Sequence, residues 1–237
     1  GEAMNTAHNT KKMAKDQLIA FRDRFYVPIP DDKIAEVPFY KPDADSAEIK
    51  YIKSRRKELG GNLPYRRSTS DEKFSVSSEM FKAFLSGSAE REISTTMVLV
   101  RILTALCKDK TYGNRVVPII PDEARTFGME GLFRQLGIYT TTGQLYEPVD
   151  SAQVMFYKES QNGQILQEGI NEGGAMCSWI AAATSYSNNN KVMIPFYIFY
   201  SMFGFQRTGD LAWAGADARS RGFLIGATSG RTTLNGE

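Results

Sequence analysis

Residues 74–237 predict an α/β domain, a parallel sheet with helices on both faces, preceded by an extended linker. Three features carry that expectation. RVVPII (115–120) reads as a short apolar strand, KVMIPFYIF (191–199) as a buried strand and RGFLIGA (221–227) as a further strand. Helical patterns alternate with them, as βαβ units require. Polar residues fall just past each run, where sheets of this class bind ligands.

The first ninety or so residues are polar and only weakly periodic. A short helix is expected over Met13–Arg24, where Leu18, Ile19 and Phe21 with Phe25 offer an apolar edge. A second is expected over Ser46–Leu59, with Ile49, Ile52 and the basic Arg55–Lys57. Pro28, Pro30, Pro38, Pro42 and Pro64 punctuate the remainder, so 15–73 reads as a linker wrapping a surface, after a polar segment 1–14.

The pattern strengthens from residue 74. Ser94 is placed to cap a helix, TTMVLVRILTALCKD, with Val98, Ile102 and Leu106 on one stripe. FGMEGLFRQLGI (127–138) reads as a helix and QILQEGI (164–170) as a further strand. NEGGAMCSWIAAATSYS (171–187) is a helix of small residues suited to close packing, and YSMFGFQRTGDLAWAGADA (200–218) is the last helix. The rim of carboxyl strand ends then holds Asp122 and Glu123, Asn171 and Glu172, Tyr200, and Thr228 to Arg231.

Composition narrows the function. The chain has 237 residues and a formal charge of +2, which implies no strong field for nucleic acid. Cys107 and Cys177 sit in apolar sequence without a CxxC or Cys/His cluster, which suggests a reduced, cytoplasmic protein without structural zinc. No run of eighteen apolar residues suggests a membrane span. GEAMNTAHNTKK lacks the apolar core of a signal peptide, and SGRTTLNGE is an unanchored end; the chain reads as a piece of a longer polypeptide.

Few residues could carry chemistry. Glu172 is either a first-turn glutamate favoured by the helix dipole or an acid that hydrogen-bonds a ligand nitrogen. Burial among Ile170, Trp179 and small residues would favour the second by making it hold or share a proton. His8, the single histidine, is either a solvated loop residue or a general acid on a closing loop. Phe203 is either core or a ring that lies flat against a heterocycle, and Arg207, one turn on, is either a surface ion pair or part of the same site. KSRRK (53–57) with Arg66 and Arg67 fits a solvated face better than a nucleic-acid patch. GxGxxG, GxxxxGK[ST] and GxSxG are absent, so neither a dinucleotide, a nucleoside triphosphate nor a serine-hydrolase elbow is suggested.

VVPIIPDEARTFGMEGLFRQLGIY (116–139), YKESQNGQILQEGINEGGAMCSWIAAATSYS (157–187) and residues 194–237 together resemble the homodimeric type of pyruvate dehydrogenase found in many Gram-negative bacteria. NTAHNTKKM and RDRFYVPIPDDKI resemble it as well, and residues 38–90 more loosely. The resemblance spans nearly the whole chain, which corresponds to about the middle quarter of such an enzyme. It implies thiamine diphosphate and Mg2+ as cofactors, pyruvate as substrate, and the lipoyl group of dihydrolipoyl acetyltransferase as acceptor. The fold is then the pyrimidine-binding type. Glu172 would hydrogen-bond the pyrimidine nitrogen and Phe203 would stack on the ring, with Ile170, Tyr200 and Arg207 beside it. Asp122, Glu123 and Glu237 would lie on the substrate side. Residues 1–14, with Glu2 and His8, would form a mobile active-site loop, His8 serving acetyl transfer. The family's diphosphate and metal motif, Gly-Asp-Gly followed by Asn-Asn, is missing here, so the resemblance implies half a cofactor site and no activity alone. A non-catalytic pyrimidine-domain module, or a relative acting on another 2-oxo acid, would share these features.

Overall fold

The computed structural model describes residues 4–9, 11–61, 67–73, 75–151 and 156–227, with the backbone alone at His8. The chain divides into two compact units, Gly1–Tyr65 and Arg66–Glu237.

The first unit contains helices α1 (Lys15–Arg24) and α2 (Ala47–Glu58), both within the expected stretches. Ser46 caps α2, its Oγ accepting from the Ile49 amide at 3.3 Å. Arg22 folds the chain back after α1 by donating to the Ile29 carbonyl at 3.0 Å and pairing with Asp31. Neither helix buries a residue, and among the described residues of this unit only the apolar side chain of Ile34 is buried. A three-residue-per-turn segment, Asn5–Asn9, carries His8.

The second unit runs α3 (Lys82–Leu85), α4 (Thr95–Lys108), β1 (Val116–Ile120), α5 (Phe133–Leu136), β2 (Ile138–Tyr139), β3 (Glu159–Ser160), β4 (Leu166–Gln167), α6 (Glu172–Ala183), α7 (Ser185–Asn188), β5 (Ile194–Tyr200), α8 (Gly204–Asp217) and β6 (Phe223–Ala227). The sheet has the order β4-β1-β5-β6 and is parallel throughout, with Val116 opposite Ile194 and Phe196 opposite Phe223. β2 and β3 form a separate parallel pair.

Strand alternation divides the core into two layers. Val116, Ile120, Phe196 and Ile198 pack with Val100, Leu103 and Leu106 of α4. Ile119, Tyr197 and Phe199 pack with Ala175, Met176, Trp179 and Ala183 of α6, and Leu211 of α8 joins them. Each fully buried Ile, Leu or Phe contributes about 1.5–3 kcal/mol, so the expected two-sided cover is what holds the sheet. No helix among the described residues is long and apolar enough to cross a membrane.

Four expectations need correction. The buried stripe of α4 is Val100, Leu103 and Leu106, while Val98 and Ile102 are only half-buried at its flank. Residues 127–138 do not form one helix: Gly128 (φ 70°) and Gly137 (φ 69°) occupy the left-handed region and break the segment, leaving short turns and the four-residue α5. The strand expected over 164–170 is two residues long, and β2 and β3 lie outside any expected strand. Cys177 is exposed, whereas Cys107 is half-buried and its thiol is pushed up to about 12 by burial.

At the amino ends of the strands, Glu72 clasps the segment before α3 to the sheet. Its carboxylate accepts from Lys191 Nζ at 2.8 Å, from the Val192 amide at 3.0 Å and from Arg115 at 3.0 Å. The Lys191 hydrogen bond, and then the Val192 amide, hold Glu72 below the usual carboxylate range. A depressed folded-state value means that this stabilisation is present above the ordinary carboxylate range and is lost as pH falls through the folded value. Amide-exchange protection at Val192, followed by NMR, should therefore decline on acidification below about pH 4 and be largely absent in Glu72→Gln at neutral pH. A Glu72→Gln variant with native protection would remove the clasp from this account.

Candidate functional site

Three strand ends deliver the rim. β1 runs out into Pro121, Asp122 and Glu123, β4 into residues 168–171 ahead of α6, and β5 into residues 201–203 ahead of α8. The first two loops are stitched together: the Glu168 amide donates to the Ile120 carbonyl at 2.9 Å and the Asn171 amide to the Pro121 carbonyl at 3.1 Å. Asn171 then caps α6, its Oδ1 accepting from the Gly174 amide at 2.9 Å. That cap makes Glu172 the first helical residue, where the helix dipole favours a carboxylate.

The Glu172 side chain is 11% exposed, and its Oε1 accepts from Arg207 Nη1 at 2.5 Å. The Arg207 guanidinium also lies 4.1 Å from the centre of the Phe203 ring. Phe203 and Arg207 are four residues apart and share a face of the helical turn. That turn is a distinct piece of α8, because Thr208 (φ −129°, ψ 15°) interrupts the helix directly after Arg207 and its Oγ1 donates back to the Gly204 carbonyl at 2.7 Å. Gly204 is required there: a Cβ would lie 2.1 Å from the Phe199 ring.

Tyr200 extends the group toward β1. Its hydroxyl donates to Asp122 Oδ2 at 3.1 Å, and its ring packs against Phe127 at 5.0 Å and edge-on to Phe203 at 6.3 Å. Asp122, Tyr200, Phe203, Arg207 and Glu172 are thus linked in one chain of contacts. Beneath them Tyr197 is fully buried, its hydroxyl 3.5 Å from the Glu172 main-chain carbonyl, and burial pushes its phenol well above the usual range.

Other expected residues lie apart from this group. Glu123 is exposed and, with Arg125, Tyr157 and Gln167, lines a neighbouring cavity of about 460 Å3. Ile170 is 81% exposed, so it does not wall Glu172 as expected; the loop that Asn171 anchors turns it outward. His8 lies in the first unit, and its side chain, like Glu2, Glu237 and residues 228–231, falls outside the described residues. Sequence reasoning missed Phe127 and Tyr197 as supports of the rim. The continuous apolar run of β5 offered a signal that Tyr197 is buried, and nothing comparable pointed to Phe127.

The arrangement suits a flat nitrogen heterocycle: a partly buried carboxylate to meet a ring nitrogen, beside an aromatic face to stack on. Glu172 and Phe203 could hold such a ring, with Arg207 yielding at the carboxylate. Among the described residues no group of three or more His, Cys, Asp or Glu could hold a metal.

The family description that matches is the pyruvate dehydrogenase E1 component middle domain, over residues 72–237. The pyruvate dehydrogenase E1 component of Pseudomonas aeruginosa is 64% identical over 237 residues, that of Cupriavidus necator 59% over 238, and that of Escherichia coli strain K12 56% over 236. Each alignment takes in 100% of this chain and 27% of the relative, so the chain spans about a quarter of the length of the curated relatives it matches. On the match over residues 72–237, this chain belongs to the pyruvate dehydrogenase E1 component middle-domain family.

Proposed function

We propose that this chain supplies the pyrimidine-facing half of a thiamine diphosphate site in a pyruvate dehydrogenase, which decarboxylates pyruvate and passes the acetyl group to a lipoyl group of dihydrolipoyl acetyltransferase. The observation that carries the reading is the joining of Glu172, Arg207 and Phe203 at the carboxyl rim of a parallel sheet. When bound, the cofactor supplies the carbon nucleophile and the electron sink that decarboxylation needs.

The chain's own residues position and protonate. Glu172 meets the pyrimidine nitrogen and holds or moves a proton there, and Phe203 offers the stacking face. Arg207 keeps the Glu172 carboxylate compensated until the ring takes over. Tyr200, beside the pyrimidine, donates its hydroxyl to Asp122 on the substrate side, with Glu123 nearby and Glu237 assigned to the same side. His8 serves the later transfer of the acetyl group, brought in by residues 1–14. Mg2+ and the diphosphate are held by parts of the longer protein outside this chain. Phe205, Trp213 and Phe223, which are 59%, 75% and 49% exposed, support a homodimer. The near-balanced charge supports an enzyme that works without nucleic acid, and the free Cys107 and Cys177 support a reduced, cytoplasmic setting.

In the intact enzyme, Glu172→Ala should slow pyruvate decarboxylation by about two to four decades, as expected for a positioned acid. Stopped-flow turnover with an artificial electron acceptor measures this, and near-native rates would reduce Glu172 to a first-turn residue. The isolated chain, titrated calorimetrically with thiamine diphosphate and Mg2+, should show only weak binding, with a dissociation constant above about 1 mM. Micromolar binding would mean that the phosphate and metal ligands lie within this chain after all.

A further inference from the structure

We propose that α2 docks an acidic surface of the lipoyl-bearing acyltransferase, an inference that rests on the function proposed above. Lys50, Lys53 and Lys57 recur at i, i+3 and i+7, share one stripe of the helix, and are all exposed. Across residues 47–58 five cations (Lys50, Lys53, Arg55, Arg56 and Lys57) stand against two acids (Glu48 and Glu58), a net of +3. Lys50 pairs with Asp45 at 3.4 Å and Arg55 with Glu58 at 2.5 Å, both between exposed side chains that gain little from pairing. Lys53 and Lys57 have no ion partner among the described residues.

The helix is also under-supported. α2 has 12 residues and buries none of them, and a helix of that length is marginal in water without packing. Tyr51, Ile52 and Leu59 are 66%, 52% and 63% exposed. A partner that covered these side chains while neutralising the lysines would satisfy both deficits. Apolar side chains among cations suit a protein surface, and three lysines on one stripe are too few for tight binding of a polyphosphate backbone. An acyl carrier must arrive and leave in every turnover. Charges at the edge of an interface serve that need, because they raise the association rate more than the residence time.

The test uses the intact enzyme and its acyltransferase, with paired Lys53→Glu and Lys57→Glu changes and, separately, paired Lys53→Gln and Lys57→Gln changes. Lys, Glu and Gln are all good helix formers, so α2 should persist. At low ionic strength the Glu pair should associate about tenfold more slowly and the Gln pair should fall between, the three converging to within about twofold at about 0.5 M salt. Thermal stability and decarboxylation with an artificial acceptor should be unchanged. Equal association rates for all three proteins would overturn the docking role. So would a salt-independent loss that accompanies a lower melting temperature, which would make α2 an internal contact of the longer chain. Loss of retention on duplex DNA with acyltransferase association intact would reassign the stripe to polyanions. If the unmodified enzyme neither binds the acyltransferase nor turns over with it, the proposed function falls, and the docking surface with it.

Discussion

A parallel sheet covered on both faces confines its chemistry to its strand ends, and everything at this site follows from that confinement. β5 buries Phe196 and Ile198 in one layer and Tyr197 and Phe199 in the other, so the first residue on the strand with room for a functional role is Tyr200. The same logic brings Asp122 out at the end of β1 and Glu172 after the short β4. The Phe199 ring, pressed against Gly204, then fixes how α8 begins. Phe203 and Arg207 face the rim because the turn between them cannot shift without displacing a buried ring.

The pairing of Glu172 with Arg207 has a consequence for ligand binding. The carboxylate is nearly buried at 11% exposure, while the guanidinium keeps 42%. Removing the guanidinium would leave a desolvated anion without a partner, which is costly, whereas exchanging it for another hydrogen-bonding group is far less so. The side chain that compensates Glu172 also covers one face of Phe203. A heterocycle entering the site, as proposed, would therefore exchange partners with a group already in place instead of opening a closed core, and the more solvated Arg207 would be the member to move.

Much of this was legible in the sequence, for identifiable reasons. The runs at 115–120, 191–199 and 221–227 are apolar enough to admit little besides strands, the first two buried and the third partly exposed, and Asp122, Glu123 and residues 201–203, just past the first two, lie at the rim. Ser94, Ser46 and Asn171 announce three helix starts through side-chain oxygens that accept from the backbone. The failures have equally local causes. Gly128 and Gly137 break an apolar stretch that otherwise reads as helix, because a left-handed glycine leaves no trace in hydrophobic periodicity. Ile170 is apolar yet points outward, since the Asn171 cap and its bond to Pro121 set the loop's direction. The choice of Arg207 as the partner of Glu172 could not be read either: 35 residues separate the two, and only the packing of α6 beside α8 brings them together.

The central claim is that the group formed by Glu172, Phe203 and Arg207 receives the pyrimidine ring. A crystal structure of the intact enzyme with thiamine diphosphate and Mg2+ tests it most directly. The account predicts a pyrimidine nitrogen within about 3 Å of a Glu172 carboxylate oxygen, the ring lying against Phe203, and Arg207 displaced from at least one of its two contacts. A pyrimidine bound elsewhere, with the Glu172–Arg207 pair and its cover of Phe203 intact, would contradict it.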